Sequence, residues 1–299
     1  LYVALNVTLV AGGALIFMPK FDAAAVLAAM PRATAMMGVP TFYTRLLAEP
    51  GLTREAAGGM RLFVSGSAPM LPETHEAWRA RTGQAILERY GMTETSMNCS
   101  NPYDGERRPG TVGPPLPGIE VRVRGPEGEA LGPGEVGGLE VRGPNVFKGY
   151  WRMPEKTAEE FREGGWFVTG DMATISGDGY VSIVGRSKDM VISGGYNVYP
   201  REVEAEIDAL PGVLESAVIG APHPDFGEGV VAVLVPRPGA AAPGEAEVIG
   251  ALKERLAAYK RPKRVFVVEA LPRNTMGKVQ KNVLREAYAR VFEAGAPAG

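Results

Sequence analysis

The sequence predicts an α/β protein: a partial parallel sheet, then a small β-barrel-like subdomain, then a compact α+β C-terminal domain. Three stretches of different texture along the chain point to this. Over residues 1–113, strand-length apolar runs alternate with helical spacings, the rhythm of a mostly parallel sheet. Over residues 114–187, Gly and Pro become dense and the strands short and alternating, as in small antiparallel barrels. Over residues 188–299, helical spacings and apolar strands mix in a unit of their own.

The elements follow in order. Residues 1–19 are almost wholly apolar, yet Asn6, Thr8 and Gly12-Gly13 interrupt them and the first cation is Lys20. A short buried helix, a turn and a buried strand over residues 14–18 fit this stretch better than a signal peptide or a membrane span. A chain opening on Leu inside such a run is expected to start mid-domain. Phe21, Val26, Leu27 and Met30 share a helical face; residues 35–39 read as a buried strand, and a short helix follows Pro40 through Leu47. Leu62, Phe63 and Val64 form a strand, a helix starts at Glu73, and residues 85–88 form another strand. Alternating strands are expected at residues 120–124, 138–142 and 180–184. In the last domain, Val203, Ile207 and Leu210 mark one helix, and Ile249, Leu252, Leu256 and Tyr259 another. Strands are expected at residues 217–219, 230–235 and 265–268, with a surface loop at 236–244.

Composition narrows the chemistry. With 299 residues and 45% of them hydrophobic, the chain has enough apolar material for two cores. A formal net charge of -2, with the signs interspersed, offers no basic face for nucleic acid. One cysteine, Cys99, excludes an intramolecular disulfide, and two distant histidines, His75 and His223, do not make a zinc site. The expectation is a cytoplasmic protein, off the membrane, whose chemistry comes from Lys, Arg, Asp, Glu, Thr and backbone groups.

Five motifs carry that chemistry. Ser65-Gly66-Ser67-Ala68-Pro69 ends a strand in small residues, letting a flat ring approach the backbone. Tyr90-Gly91-Met92-Thr93-Glu94-Thr95 follows the next strand; Thr93 can donate to a phosphate oxygen and Glu94 can hold Mg²⁺. The plainer reading is a helix N-cap at Thr93 or Thr95. Gly165 to Asp171 ends in a carboxylate suited to a pair of ribose hydroxyls. Gly185-Arg186-Ser187-Lys188-Asp189, with Gly194-Gly195 close behind, sits where the texture changes and predicts a hinge. Pro272-Arg273-Asn274-Thr275-Met276-Gly277-Lys278 places a lysine after a glycine on a late loop, within reach of another domain's site.

In this order the motifs resemble the adenylate-forming superfamily of acyl-CoA synthetases, luciferases and peptide-synthetase adenylation domains, over essentially the whole chain. The resemblance implies that a carboxylate attacks the α-phosphate of ATP, that the C-terminal domain then rotates, and that the CoA thiol displaces AMP. It implies that Ser67, Ala68, Pro69 and Tyr90 hold the adenine, with Gly91 and Met92 beside it. It gives Thr93 to the phosphate, Glu94 to Mg²⁺, Asp171 and Arg186 to the ribose, Lys188 to the hinge, Gly194-Gly195 to the pantetheine tunnel and Lys278 to adenylation catalysis. Residues 88–113 and 38–47 are most similar to malonyl-CoA synthetases, so Arg45 becomes the candidate for the distal carboxylate, with Ser65 and Gly66 beside the substrate and Arg61 and Arg107 as weaker candidates. Two other readings stay open: a synthetase for a short or aromatic monocarboxylate, and a non-catalytic module that binds a nucleotide or partner. The superfamily's Gly- and Ser/Thr-rich phosphate loop is not found in these residues, so the chain alone is expected not to catalyse adenylation.

Overall fold

The computed structural model describes residues 2–274 and 277–293. The chain divides into two compact units, Leu1–Thr169 with Ala173–Ile183, and Gly170–Met172 with Val184–Gly299.

The first unit opens with α1 (Tyr2–Val10), α2 (Ala23–Ala29), β1 (Ala35–Gly38), α3 (Pro40–Leu47), β2 (Leu62–Ser65), α4 (Pro72–Thr82), β3 (Leu87–Met92) and β4 (Ser96–Ser100). Strands β1, β2 and β3 run parallel in that order, and β4 closes the sheet antiparallel to β3. Proline at the first turn of α3 and α4 starts each helix where a backbone N–H is not needed. Gly83, at φ 78°, ends α4 in the left-handed conformation. Trp78 of α4 is fully buried and meets Tyr43 and Phe63 edge-on at 4.9 and 4.8 Å. Arg81 fastens the far end of α3, donating to the carbonyls of Leu47, Glu49 and Leu52 at 2.6–2.7 Å.

The expected buried strand at residues 14–18 does not form: these residues are coil, and Leu15, Ile16 and Phe17 are exposed. A strand needs a neighbour to pair its backbone, and among the described residues none runs beside this one. Nor is the opening helix buried, since Leu5, Val7, Leu9 and Val10 of α1 are exposed.

The Gly/Pro-rich stretch supplies β5 (Glu120–Arg124), β6 (Gly137–Arg142), α5 (Pro154–Glu160), β7 (Phe161–Arg162), β8 (Trp166–Ile175) and β9 (Val181–Arg186). Their sheet has the order β5-β6-β8-β7, with β9 also on β8. Its apolar face buries Val123, Leu139, Ala173 and Val181 with Cys99, whose thiol pKa burial pushes up to about 12.

The second unit continues with β10 (Val191–Ser193), β11 (Tyr196–Val198), α6 (Pro200–Asp208), β12 (Val213–His223), β13 (Gly227–Pro236), α7 (Glu245–Ala251), β14 (Arg264–Val267) and α8 (Lys281–Ala287). The long β12–β13 hairpin is its spine, with β14 parallel to β13. The period-two alternation of strands sorts its apolar residues between two cores. Val218, Val230, Ala232 and Leu234 join α6 and α7 on one side, while Ala217, Ile219, Val231 and Val233 join α8 on the other. The second predicted helix stops early: α7 ends at Ala251, although Leu252 and Leu256 still enter the same core from the turns beyond it. Helical spacing here reports a buried face rather than a continuous helix, and Gly250 costs helix stability near the stop.

Candidate active site

In the first unit, Gly38 stands opposite Ser65, and Ser65 opposite Glu88, so these three form a row at the carboxyl end of the parallel strands. That edge is where open α/β sheets bind ligands. Ser65 is buried and its hydroxyl has no hydrogen-bond partner among the described residues. An orphaned buried hydroxyl calls for a polar partner that the protein itself does not supply. After it, Gly66 approaches Arg89 closely enough that an added Cβ would sit 3.4 Å from the Arg89 carbonyl. Ser67, Ala68 and Pro69 are exposed, and Ser67 has φ 70°, a strained left-handed conformation for a residue with a side chain.

Residues Tyr90 to Thr95 do not begin a helix. Gly91 and Met92 complete β3, Thr93, Glu94 and Thr95 turn the chain, and β4 returns antiparallel, so neither threonine is an N-cap. A bulge between Tyr90 and Gly91 makes the turn, and a Cβ on Gly91 would lie 2.0 Å from the Ser96 carbonyl oxygen. Only glycine fits there. The Thr93 side chain is exposed and makes no hydrogen bond among the described residues. Glu94 is half-buried; the Tyr150 hydroxyl donates to its Oε1 at 3.2 Å, and its carbonyl accepts from the Phe147 N–H at 2.8 Å. Asn145 holds the same turn, donating through Nδ2 to the Thr95 and Met97 carbonyls at 2.6 and 3.2 Å.

One residue that the motifs pass over stands out. Arg89 lies in β3 between buried Glu88 and Tyr90, and its side chain is half-buried. Its only partner among the described residues is the Met37 sulfur, 3.3 Å from Nη2. Burial lowers its pKa, and nearby Tyr43 opposes that shift. A half-buried guanidinium with no carboxylate beside it is costly to the free protein. The sequence signal was a cation and an anion side by side near a strand end. By contrast Arg45, in the last turn of α3, is exposed, with its guanidinium 5.9 Å from the Phe21 ring centre. Arg107 is used up by the carbonyls of Ala85 and Tyr103 at 2.7 and 2.9 Å, and Arg61 bonds the Tyr103 hydroxyl at 3.0 Å.

In the second unit, Asp171 is buried and Arg186 Nε lies 2.8 Å from its Oδ1, so these two are brought together. Lys188 sits exposed in a short 3₁₀ turn, Ser187–Asp189, next to the Asp189–Arg285 pair at 2.7 Å. Gly194 and Gly195, at φ 59° and 81°, form the two-residue turn between β10 and β11. An added Cβ on Gly195 would meet nothing within 4 Å, leaving its backbone open to a thin ligand. Lys278 is exposed, and its ammonium has no partner among the described residues. Thr275 and Met276 of its loop lie outside the described residues.

Comparison with known families places this arrangement. The model of the family described as AMP-binding enzyme matches residues 1–151, and that of the AMP-binding enzyme C-terminal domain matches residues 202–278. The chain belongs to the AMP-binding enzyme family. The crystal structure of ATP-bound MatB from Rhodopseudomonas palustris is 62% identical with a TM-score of 0.94, covering 98% of this chain and 58% of that one. A feruloyl-CoA synthase of an Amycolatopsis species is 42% identical over 94% of this chain and 57% of its own length. A malonate–CoA ligase of Arabidopsis thaliana is 40% identical over 85% of this chain and 44% of its own. The chain thus spans about half the length of the curated relatives it matches. Among the described residues, no helix is long and apolar enough to cross a membrane.

Proposed function

We propose that this chain carries the acyl pocket and the adenylation lysine of an AMP-forming acid–thiol ligase that activates malonate or methylmalonate. In the first half-reaction a carboxylate oxygen attacks the α-phosphorus of ATP, the bond to the β-phosphate bridge breaks, and pyrophosphate leaves. In the second, the CoA sulfur attacks the acyl carbon and AMP departs. Such displacement is mainly positioning and charge neutralisation. Ser67 to Pro69 and Tyr90 to Met92 take the adenine, Thr93 donates to the α-phosphate, and Asp171 with Arg186 binds the ribose. Lys278 offsets the charge gathered between the nucleophile and the phosphate. Lys188 is the hinge between half-reactions, and the open Gly194-Gly195 turn passes the pantetheine.

Glu94 fits Mg²⁺, which takes one or two carboxylates together with phosphate oxygens. One of its oxygens is held by Tyr150, and the other has no partner among the described residues. When bound, the ion supplies charge neutralisation to the triphosphate.

Arg89 carries the choice of a dicarboxylate. Its half-buried guanidinium lacks an acidic partner among the described residues, and it flanks Gly66 beside the orphaned Ser65 hydroxyl. A substrate with a second carboxylate supplies the missing charge, and a bidentate fork suits it. Arg45 is the second cation on offer. The rival reading, an aromatic monocarboxylate, draws on the 42% identity to a feruloyl-CoA synthase. Ferulate has one carboxylate, consumed in the reaction, and leaves Arg89 unpaired. The test is a panel of mono- and dicarboxylates in an assay of AMP release with CoA, using the protein as its gene encodes it. Malonate or methylmalonate should give the highest kcat/KM, and Arg89→Met should lower that activity steeply. A preference for ferulate or a short monoacid sinks the dicarboxylate reading.

A further inference from the structure

Among the described residues the Lys278 ammonium has no partner, but its backbone is closely held. Its N–H donates to Asn274 Oδ1 at 2.9 Å, and its carbonyl accepts from the Asn274 N–H at 3.0 Å. The preceding carbonyl, that of Gly277, accepts from Arg273 Nη1 at 2.6 Å. Both peptide groups flanking Lys278 are therefore engaged. The stem below is a short antiparallel ladder, with Arg273 opposite Val279 and the Gln280 N–H on the Pro272 carbonyl at 2.8 Å.

Two ion pairs fasten this loop to the body of its unit. The second arm of the Arg273 guanidinium, Nη2, pairs with Glu215 at the start of β12. Just past the loop, Lys281 Nζ lies 2.5 Å from Glu204 Oε1 of α6, and the Val218 N–H donates to that same oxygen at 2.9 Å. Glu215 follows a register shift in β12, after Val213, that leaves Leu214 exposed. Bulges of this kind re-aim a side chain and recur beside active sites. Arg273 thus spans two targets with one rigid fork: the carbonyl before Lys278 and a carboxylate on the longest strand of the unit.

We propose that Arg273 is the positioning residue of Lys278, with Glu215 its support. This rests on the reading of Lys278 as the adenylation lysine. The fork confines the lysine backbone so that only side-chain torsions remain to be ordered when the phosphate is met. Misplacing a catalytic group by about 1 Å costs on the order of 10²-fold in rate.

The experiment compares Arg273→Gln, Arg273→Lys, Glu215→Gln and Lys278→Ala in the protein as its gene encodes it. Three readouts are followed: ATP–pyrophosphate exchange, thioester formation from supplied acyl-adenylate, and tryptic cleavage after Lys278. Arg273→Gln and Glu215→Gln should each lower kcat for exchange about 10- to 100-fold, with smaller changes in KM for ATP. Thioester formation should hold, and tryptic cleavage after Lys278 should quicken. Arg273→Lys keeps the ion pair but not the fork and should recover part of the loss. The double variant Arg273→Gln/Glu215→Gln should be no worse than either single. If Lys278→Ala abolishes exchange while Glu215→Gln and Arg273→Gln leave exchange and cleavage unchanged, the positioning role is overturned. If Lys278→Ala leaves exchange intact, the reading of Lys278 itself fails, and the cleavage rates still judge the clamp. A matched loss of both half-reactions in Arg273→Gln means a merely structural residue and also overturns the proposal.

Discussion

Replacing Arg89 by methionine separates the two substrate readings. Methionine is unbranched and adaptable, so it fills the space along Gly66 and Met37 without the charge. In the free protein the half-buried guanidinium has only a thioether partner among the described residues, and desolvation already lowers its pKa. Removing it takes away a cost, so thermal stability should hold or rise. In the complex the balance inverts. A distal carboxylate would lose its partner in a partly desolvated place, and breaking such a pair costs about 3–5 kcal/mol. At about 1.4 kcal/mol per tenfold, kcat/KM for malonate should fall roughly 10²- to 4 × 10³-fold. A short monoacid makes no use of the cation, so its kcat/KM should stay level or improve. The assay is initial-rate AMP release with saturating ATP and CoA, with each acid varied and the melting temperature measured in parallel. Malonate turnover within a factor of a few of the parent, or an equal loss for both acids, refutes the pairing of Arg89 with the substrate.

Three further outcomes follow from particular contacts. Asp208 is half-buried, and desolvation raises its carboxyl pKa from 3.8 to about 7, against the Ser216 hydroxyl bond at 2.7 Å and the Arg201 charge, while Glu204 and Glu215 add to the rise. Between those values the folded chain keeps a proton that the unfolded chain has lost, so stability falls as pH rises from 4 to 7 and levels off above, by about 4 kcal/mol at most. Asp208→Asn should therefore stabilise the chain at pH 8, with little effect at pH 4, in urea melts; equal effects at both pH values would contradict the assignment. Gly91→Ala should destabilise by about 3 kcal/mol or more, because its Cβ would lie 2.0 Å from the Ser96 oxygen; a melting temperature unchanged from the parent refutes that contact. Tyr150→Phe removes the hydroxyl that orients Glu94 and should raise the Mg²⁺ concentration for half-maximal ATP–pyrophosphate exchange several-fold, with KM for the acid unchanged. An unaltered Mg²⁺ dependence would leave Tyr150 no such role.

Much of the fold was legible in the chain because it rests on local rules. Pro40 and Pro72 open helices where they leave no N–H unpaired. The apolar run at residues 230–235 had to be buried on both faces, and β13 is. The motif residues were legible as residue types at strand ends. What the sequence could not determine were properties of neighbours distant along the chain. Residues 14–18 have the composition of a buried strand but, among the described residues, no strand to pair with, and they are coil. Thr93 and Thr95 look like helix caps, yet the bulge at Gly91 and the fit of Asn145 fold them into a hairpin turn. Arg45, Arg61, Arg89 and Arg107 are alike as letters. Tertiary structure gives them different surroundings: carbonyls take up Arg107, a tyrosine hydroxyl takes Arg61, Arg45 is exposed beside the Phe21 ring, and Arg89 is half-buried with a thioether as its partner among the described residues. The free energy of a charge depends on what surrounds it, and that is set by the fold rather than by the residue.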